Sequence, residues 1–545
     1  MTTTEEFFKN VDAAAAAKPA PATGGNGSTG PFPPDLIANP EITVTAGERH
    51  KAADEGIAAL HAAGAEFYQR DRMLVRVCDI KARSTSGDVI LVPGIANVTP
   101  AILERSLGQV ANWQRFDAKK GHMLRIDPPR LVISQILDMV GEWPFPAIAG
   151  VIGCPTLRQD GSLLVARGFD PATGLVLRST VAMPPIPTSP TRGDAEKAVT
   201  LLAGLLREFP FANDASRAVA LSMILTPVLR AAMAVAPMHL VTAPQPGSGK
   251  SYLADTASMI ATGERVAAVA VAPNPEETEK RLVGSVLAGS PVIGIDNCRD
   301  TLEGDFLCQL TERPLLQVRA LGASDMLRIA NTFTTFANGN NVAVADDLVR
   351  RTICSELDAN VENPEGRTFQ GDPLRDAHGD RGRYVAACLT IALAYLEAGK
   401  PGRLPPLPSF EGWSDTVRSP LVWLCFADPV ETMAKSRAVD PVRQARALVF
   451  EAWYRDLQTA AHTAPEIIDL AEGRYSYNGS PERPGLHAAL VEIAQKRGAP
   501  AGQIDARRLG RWLTKQENTI AGGFKLTIDR SDRQRPRYRI QELSS

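Results

Sequence analysis

Residues 243–251 read Ala-Pro-Gln-Pro-Gly-Ser-Gly-Lys-Ser, and this stretch decides how the chain around it is interpreted. The apolar run Met238-His-Leu-Val-Thr242 precedes it, and Tyr252-Leu-Ala-Asp-Thr-Ala-Ser-Met-Ile260 follows it. A strand, a loop of small residues, Gly-Lys-Ser and a helix, in this order, are typical of a phosphate-binding loop. The full pattern has glycine where this chain has Pro244, so a glycine-rich turn between a buried strand and a helix is the alternative.

Each residue type in the loop has a physical role in binding a polyphosphate. Gly247 and Gly249, with Ser248 between them, allow backbone N–H groups to turn inward, and the following helix N-terminus adds partial positive charge. Lys250 would reach the β- and γ-phosphates, and the Ser251 hydroxyl would ligate Mg²⁺. The loop therefore predicts a site for ATP and Mg²⁺.

Two later segments are predicted to bring polar groups to the same edge of a parallel sheet. Residues 290–297 form a short apolar run that ends in Asp296 and Asn297, as expected for a buried strand. Open α/β sheets bind ligands at the carboxyl ends of their strands, so Asp296 is the second predicted Mg²⁺ ligand. Residues 331–341 predict a third strand, and Asn340 near its end is expected to sense the γ-phosphate.

The turn Asp346-Asp-Leu-Val-Arg-Arg351 follows almost at once. An arginine offered to the nucleotide of a neighbouring subunit would complete an oligomeric ATPase, and either Arg350 or Arg351 could have this role. Because the loop, the acid, the asparagine and the arginines occur in the expected order, we predict an active nucleotide site. The predicted catalytic residues are Lys250, Asp296, Asn297, Asn340, Arg350 and Arg351.

These motifs together resemble superfamily-3-type AAA+ helicases, including the helicase part of primase-helicase proteins, of phages, plasmids and integrated elements. The resemblance is clearest over residues 214–351. It implies a ring-forming, ATP-driven DNA helicase, expected to be a homo-hexamer that serves replication, with a primase or polymerase partner left open. Pro244 and Asn297 depart from the family pattern. Asn297 stands where a catalytic Glu usually follows the acid, so the group that activates water is left open.

An alternative of another class is a nucleotide-switched DNA-binding regulator, or a partition-type assembly ATPase, without unwinding activity. A packaging or defence ATPase with a similar core is a further alternative. Turnover of ATP coupled to strand separation would distinguish the helicase from these proteins.

Composition limits the remaining choices. The chain has 545 residues, 44% hydrophobic residues and a formal net charge of −2, so we expect about three globular domains and local DNA-binding patches. We expect no membrane segment and, from the acidic start of the chain, no secretory signal. Seven scattered cysteines without C-x-x-C spacing indicate reduced thiols in a cytoplasmic protein, without a zinc site.

The predicted fold is an α/β multidomain protein: a P-loop AAA+ core with a parallel sheet, preceded by a small α+β domain and followed by a C-terminal winged helix-turn-helix. Residues 88–178 show no arrangement of an acid pair with histidine that would indicate a primase, which favours a collar or linker. The expected boundaries are a disordered Ala/Pro/Gly-rich tail at 1–40, the α+β domain at 41–188, the ATPase core at 189–405, a helical lid or linker at 406–436 and the DNA-binding domain at 437–545.

Two cationic segments are predicted to contact DNA. Residues 315–329 predict a β-hairpin, and in the helicases that the chain resembles such a hairpin lines the pore and contacts single-stranded DNA. Arg319 and Arg328 are its cations, and surface or subunit-interface arginines are the equal alternative.

The second segment is the predicted helix at residues 504–515. Its apolar residues share one side, and its cations recur at helical spacing on the other. Residues 501–545 hold ten Lys/Arg and five Asp/Glu, a local charge of +5. This favours duplex DNA binding over docking to a protein. The predicted contacts are Arg507, Arg508, Arg511 and Lys515.

Overall fold

The computed structural model describes residues 39–83, 89–178, 181–272, 274–299, 301–320, 325–473, 481–496, 498, 500–532 and 535–543. All but the last two residues of the predicted tail at 1–40 lie outside this set. The chain forms two compact units. The first takes the chain up to Arg299 together with Gly304–Val342 and Arg351–Thr432, and the second takes Asp300–Glu303, Ala343–Arg350 and the chain from Met433 onward.

The N-terminal part of the first unit is a mixture of short sheets and helices. Thr99 caps helix α2, since its Oγ1 accepts the N–H of Ile102, and Pro100 fits the first turn. Trp113 and Trp143 lie in a common apolar core, and each indole N–H donates to a backbone carbonyl. The strands are β1 Glu41–Thr43, β2 Phe67–Arg70, β3 Met73–Arg83, β4 Val89–Asn97, β5 Asn112–Asp117, β6 His122–Arg125, β7 Gly150–Ile152, β8 Thr156–Leu157, β9 Leu163–Leu164, β10 Gly168–Asp170 and β11 Leu175–Leu177, and the helices are α1 Arg49–Ala62, α2 Pro100–Val110 and α3 Arg130–Asp138.

The rest of the first unit surrounds a parallel sheet. Its helices are α4 Arg192–Leu205, α5 Asp214–Val228, α6 Lys250–Thr262, α7 Pro275–Ala288, α8 Asp305–Glu312, α9 Pro373–Gly379, α10 Arg381–Glu397, α11 Glu411–Trp413 and α12 Ser419–Trp423. The strands from here to Glu356 are β12 Met238–Ala243, β13 Ala267–Ala270, β14 Val292–Cys298, β15 Thr301–Leu302, β16 Leu315–Arg319, β17 Met326–Ala330, β18 Thr334–Asn340, β19 Ala343–Val344 and β20 Thr352–Glu356, of which β15 and β19 belong to the second unit.

The sheet has five strands in the order β13-β14-β18-β12-β20, and every neighbouring pair is parallel. Strands β12, β14 and β18 are almost wholly buried, as is typical of the central strands of a parallel sheet. Ala243 pairs with Asn340, so the loop after β12 begins beside the end of β18. The sequence-based expectation of a parallel sheet is confirmed.

Strands β16 and β17 pair as the predicted antiparallel hairpin. The expected turn at 322–325 lies, except for Asp325, outside the described residues. Leu316, Val318, Leu327 and Ile329 are buried on one face, and the alternate side chains are exposed on the other, apart from partly buried Ala330.

The second unit has its own core beneath a three-stranded sheet. Trp453, Leu509 and Leu526 lie in one buried cluster, so the last 45 residues supply part of that core. The isolated bridge His462↔Tyr538 adds a further antiparallel pairing. The elements are α13 Glu431–Ala438, α14 Pro441–Leu457, α15 Ala464–Glu472, α16 Pro484–Ala494, α17 Ala506–Lys515, β21 Ile520–Ala521, β22 Phe524–Asp529 and β23 Arg537–Glu542, with the parallel pair β15–β19.

The helices are too short or too polar to cross a bilayer throughout the part of the chain that the structure describes.

Candidate active site

The loop between β12 and α6 depends on two glycines. Gly247 has φ 72° and Gly249, which precedes the first turn of α6, has φ 93°. Both values lie in the left-handed region that L side chains rarely adopt, so glycine is required there. Because of this backbone, helix α6 begins directly at Lys250, and its N-terminal N–H groups lie at the carboxyl edge of the sheet.

Lys250 connects the loop to strand β18. Its Nζ donates to Asn340 Oδ1 at 2.6 Å and to the Gln245 carbonyl at 3.3 Å, and the Ser248 hydroxyl donates to the same carbonyl at 2.6 Å. Burial lowers the pKa of Lys250, while the negative charge of Asp296 opposes that shift. The ammonium group is therefore held at the sheet edge by acceptors from two segments that are far apart in sequence.

A cavity of about 180 Å³ lies next to this lysine. Ser251 and Asp296 both line it, as do Asp255 and Asn338, which the sequence-based prediction had not assigned. Burial is the main cause that raises the pKa of Asp255, and its Oδ1 accepts the N–H of Val266 at 3.1 Å. The cavity thus collects hydroxyl, carboxylate and amide oxygens beside the first half of helix α6, together with the guanidinium group of Arg265, which lies 3.6 Å from Asp255 Oδ2.

These donors fit Mg²⁺, which prefers oxygen ligands and usually keeps several waters while it binds one or two carboxylates and substrate phosphates. Across the described residues, no group of three or more His, Cys, Asp or Glu side chains could hold a metal by itself. A cation at Ser251 and Asp296 would therefore need phosphate oxygens or water to complete its coordination.

Asn297 directly follows the acid in a strained part of strand β14. Its φ is 61°, and the pairing with β18 shifts register between Ile295 and Cys298. The backbone N–H of Asn297 donates to Asn338 Oδ1 at 3.4 Å, and the Asn297 side chain is exposed. Asparagine tolerates this left-handed conformation better than most residues. The bulge therefore directs the residue after Asp296 toward solvent at the sheet edge.

The two candidate arginines have different surroundings. Arg351 is 3% exposed, belongs to the first unit and forms an ion pair with Glu312. Arg350 belongs to the second unit, has a partly exposed side chain and pairs with Asp347. A buried arginine paired within its own chain is poorly placed to reach another subunit, so this geometry favours Arg350 over Arg351 for that role.

The local sequence pattern does not predict that two further residues contact the loop. The Phe209 ring lies 3.4 Å from the position that a Cβ on Gly249 would occupy, and a Glu365 carboxylate oxygen lies 2.8 Å from that of Gly247. Glu208 holds the segment after Glu365, since its carboxylate accepts the N–H groups of Gln370 at 2.9 Å and Gly371 at 3.2 Å. These contacts join distant segments, and only the folded chain reveals them.

The cations of the hairpin β16–β17 lie on its exposed face. Arg319 pairs with Met326 across the strands and Arg328 with Gln317, so the two arginines are diagonal neighbours. The backbone N–H of Arg328 donates to Asp71 Oδ2 at 3.2 Å. The exposed face is therefore mixed, with apolar Leu315 beside cationic and polar side chains.

Helix α17 carries the other predicted cations. Asp505 caps it by accepting the N–H groups of Arg507 at 2.9 Å and Arg508 at 3.0 Å. Arg507, Arg511 and Lys515 are exposed, whereas Arg508 is partly buried and donates to the Gln495 carbonyl. An open hollow between α17 and β23 is lined by Arg507, Gly510, Arg511, Thr514 and Tyr538.

No known protein family matches the sequence, and no curated protein matches it. Two apo A-form structures of the NrS-1 C-terminal region are similar to the chain. The first shows 12% identity and a TM-score of 0.33, and the match covers 85% of this chain and 95% of that chain. The second shows 10% identity and a TM-score of 0.34, and the match covers 89% of this chain and 98% of that chain. A JCV helicase structure with a bound small molecule shows 12% identity over 45% of this chain and 67% of that chain, with a TM-score of 0.18. These scores identify no family, so the interpretation depends on the geometry of this chain.

Proposed function

We propose that the chain is an ATP-driven DNA helicase or translocase whose nucleotide site is the carboxyl edge of the five-stranded sheet. The main support for the proposal is the hydrogen bond from Lys250 to Asn340, beside a cavity that is lined by Ser251 and Asp296. A glycine loop, a helix N-terminus, a lysine and oxygen ligands at one edge match what a nucleoside triphosphate with Mg²⁺ requires.

Each residue has a defined task in this proposal. The backbone of Gly247, Ser248 and Gly249 would surround the phosphates, and Lys250 would leave its present acceptors to bind phosphate oxygens. Asn340, then released from Lys250, would be free to hydrogen-bond the terminal phosphate or the attacking water. Mg²⁺, held by Ser251 and Asp296, would supply charge neutralisation between the phosphates.

The core would be a P-loop AAA+ domain in a ring, with a homo-hexamer as the expected assembly. Arg350 would reach the nucleotide of a neighbouring subunit and stabilise the charge of its transferred phosphate. Its partly exposed side chain supports this role, and its ion pair with Asp347 would open when the arginine binds the neighbouring nucleotide. The replication of a phage, plasmid or integrated element is the proposed setting.

Two surfaces would contact DNA. Arg319 and Arg328 on the exposed hairpin face would bind the phosphates of a single strand in the pore. The second unit would be a winged helix-turn-helix, in which α16 and α17 form the helix pair, α17 enters the major groove and β22–β23 form the wing. The exposed cations Arg507, Arg511 and Lys515 on α17 support duplex binding.

The proposal is tested by steady-state ATP turnover with and without single-stranded DNA, together with strand separation on a forked duplex. We expect single-stranded DNA to stimulate turnover and ATP to drive unwinding. Arg319→Ala should retain turnover but lose unwinding, whereas Arg313→Ala, at an exposed arginine just before the hairpin, should retain both. Nucleotide-dependent DNA binding without turnover would instead identify a nucleotide-switched regulator.

A further inference from the structure

The arginine proposed to act on a neighbour belongs to the same compact unit as the proposed DNA-binding helix. The loop of residues 343–350 forms part of the second unit, while Lys250 and Asp296 belong to the first. Strand β19 pairs with β15 inside the second unit, and the loop residues Leu348 and Val349 are buried. The loop that carries Arg350 is therefore an ordered part of that unit.

One carboxylate ties this loop to helix α14. Asp440 is 5% exposed, and its two oxygens have separate partners. Its Oδ1 caps α14 by accepting the N–H groups of Val442 at 3.0 Å and Arg443 at 3.2 Å. Its Oδ2 accepts the N–H of Asp346 at 3.3 Å. Since Asp346 has φ 53°, this bond holds the loop where its backbone is in an unfavourable conformation.

Charged side chains from α13 and α14 gather around the same loop. A cavity of about 280 Å³ is lined by Arg350, Arg437, Arg443 and Arg446, together with Asp346 and other residues of the unit. Arg446 Nη2 lies 4.0 Å from Asp346 Oδ1, so the loop is held from a second side. The nearby guanidinium groups also make the surroundings of Arg350 favourable for a phosphate.

Helix α14 is in turn packed against the DNA-binding elements. Phe450 and Trp453 of α14 lie in one buried cluster with Leu509 and Leu513 of α17. The path from α17 to Arg350 thus runs through packed side chains of α14 and then through Asp440. A change in the position of α17 on binding DNA can be transmitted to the loop without leaving this unit.

We propose that Asp440 and Arg446 are positioning residues that fix the loop of Arg350 relative to the DNA-binding helix. Duplex binding at that helix would then change ATP hydrolysis at the neighbouring subunit. The inference rests on the proposed function, because it gives Arg350 its task. Asp440 and Arg446 contact neither nucleotide nor DNA in this account.

Asp440→Asn tests this coupling because it separates the two tasks of the carboxylate. Asparagine keeps one oxygen to cap α14, but its second terminal atom is a donor that meets the Asp346 N–H. We expect turnover to fall about 5- to 10-fold, the scale of one lost hydrogen bond. Duplex Kd should stay unchanged, and the ratio of turnover with and without duplex DNA should become one.

Subunit mixing shows whether the defect lies in the offered arginine. Rings that combine Asp440→Asn with Lys250→Ala chains should recover turnover, as should rings that combine Arg350→Ala with Lys250→Ala, because each partner supplies what the other lacks. Asp456→Asn, which removes an acid from the last turn of the same helix where it pairs with Arg455, is the matched control and should behave like the parent.

The outcomes separate the two proposals. The coupling would be overturned if duplex DNA did not change ATP turnover by the parent protein. It would also be overturned if Asp440→Asn kept the turnover and the duplex response of the parent, or if Asp456→Asn lost as much turnover as Asp440→Asn. If Lys250→Ala and Asp296→Ala abolish turnover while Asp440→Asn does not change it, the nucleotide site stands and only the coupling fails. If the parent hydrolyses no ATP, both proposals fail together.

Discussion

The sheet edge around Lys250 and the cationic face of helix α17 both attract phosphates in this account, yet they are built differently. Lys250 is held by oxygen atoms of Gln245 and Asn340, beside a cavity that contains Asp296. Arg507 and Arg511 are exposed beside an open hollow. Chemistry on a phosphate requires fixed distances, whereas attraction to a DNA backbone acts through charge and tolerates mobile side chains. The contrast therefore distinguishes the proposed reaction site from the proposed docking surface.

The largest expected effect concerns the sheet edge. Asp296→Asn keeps the shape of the side chain but removes the charge that would hold Mg²⁺, so we expect turnover to fall about 10³-fold, equivalent to several kcal/mol. A Mg²⁺ titration of ATP turnover measures this, and the half-saturating concentration should also rise.

Asp305→Asn, at an exposed acid in the first turn of α8, is the control and should leave both values unchanged. Equal turnover and equal Mg²⁺ dependence in Asp296→Asn and the parent would remove Asp296 from the site.

Elements that depend on local sequence were predictable. The strand before the loop, helix α6 and the cap of α17 by Asp505 follow from apolar runs, glycine positions and capping residues. The meeting of Lys250 with Asn340 followed from a general rule, since parallel strands end at one edge.

Features that depend on tertiary packing were not predictable. Arg350 and Arg351 are identical in type and adjacent, but successive residues of a tight helical turn point in different directions, and only Arg351 faces Glu312. Arg508 has helical spacing with the other cations of α17, yet the turn before the helix brings the Gln495 carbonyl to it. The approach of Glu365 to Gly247 joins segments whose sequences give no sign of contact.

The docking surface should show a smaller effect of a different kind. The double variant Arg507→Gln/Arg511→Gln should weaken duplex binding at least tenfold at low salt, and the slope of log K against log salt should fall by about 2 because two phosphate contacts are lost. Duplex titrations at several salt concentrations measure this. ATP turnover without DNA should be retained.

Substitution is preferable to truncation here, because Leu509, Leu513 and Leu526 belong to the core of the second unit. Arg455→Gln, at an arginine paired with Asp456 on α14, controls for loss of positive charge. An unchanged salt slope in the double variant would exclude this face of α17 as the duplex contact.

A third effect, on stability rather than on activity, is expected beneath the proposed nucleotide site. Burial lowers the pKa of His239 on strand β12 to about 3, and its Nε2 lies 3.0 Å from the Ser222 hydroxyl. The folded state keeps the ring neutral while the unfolded chain binds a proton below pH 6.5. The free energy of unfolding should therefore fall as pH falls from 6.5 toward 3, by at most about 1.4 kcal/mol per pH unit.

His239→Asn removes this titration, so thermal unfolding measured between pH 7 and 5 should depend less on pH than in the parent. His487→Gln, on helix α16, should keep the parent slope. The same slope in His239→Asn and the parent would show that His239 does not control acid stability.

The central claim is that Lys250 belongs to a site that hydrolyses ATP. Release of phosphate from ATP labelled at the γ position, at saturating Mg²⁺, compares the parent with Lys250→Ala and with Lys280→Ala, an exposed lysine on α7 that pairs with Glu277. We predict turnover by the parent and by Lys280→Ala, and a loss of at least about 100-fold in Lys250→Ala, because the cation bound to the transferred phosphate is removed. Hydrolysis by Lys250→Ala at the parent rate would contradict the account.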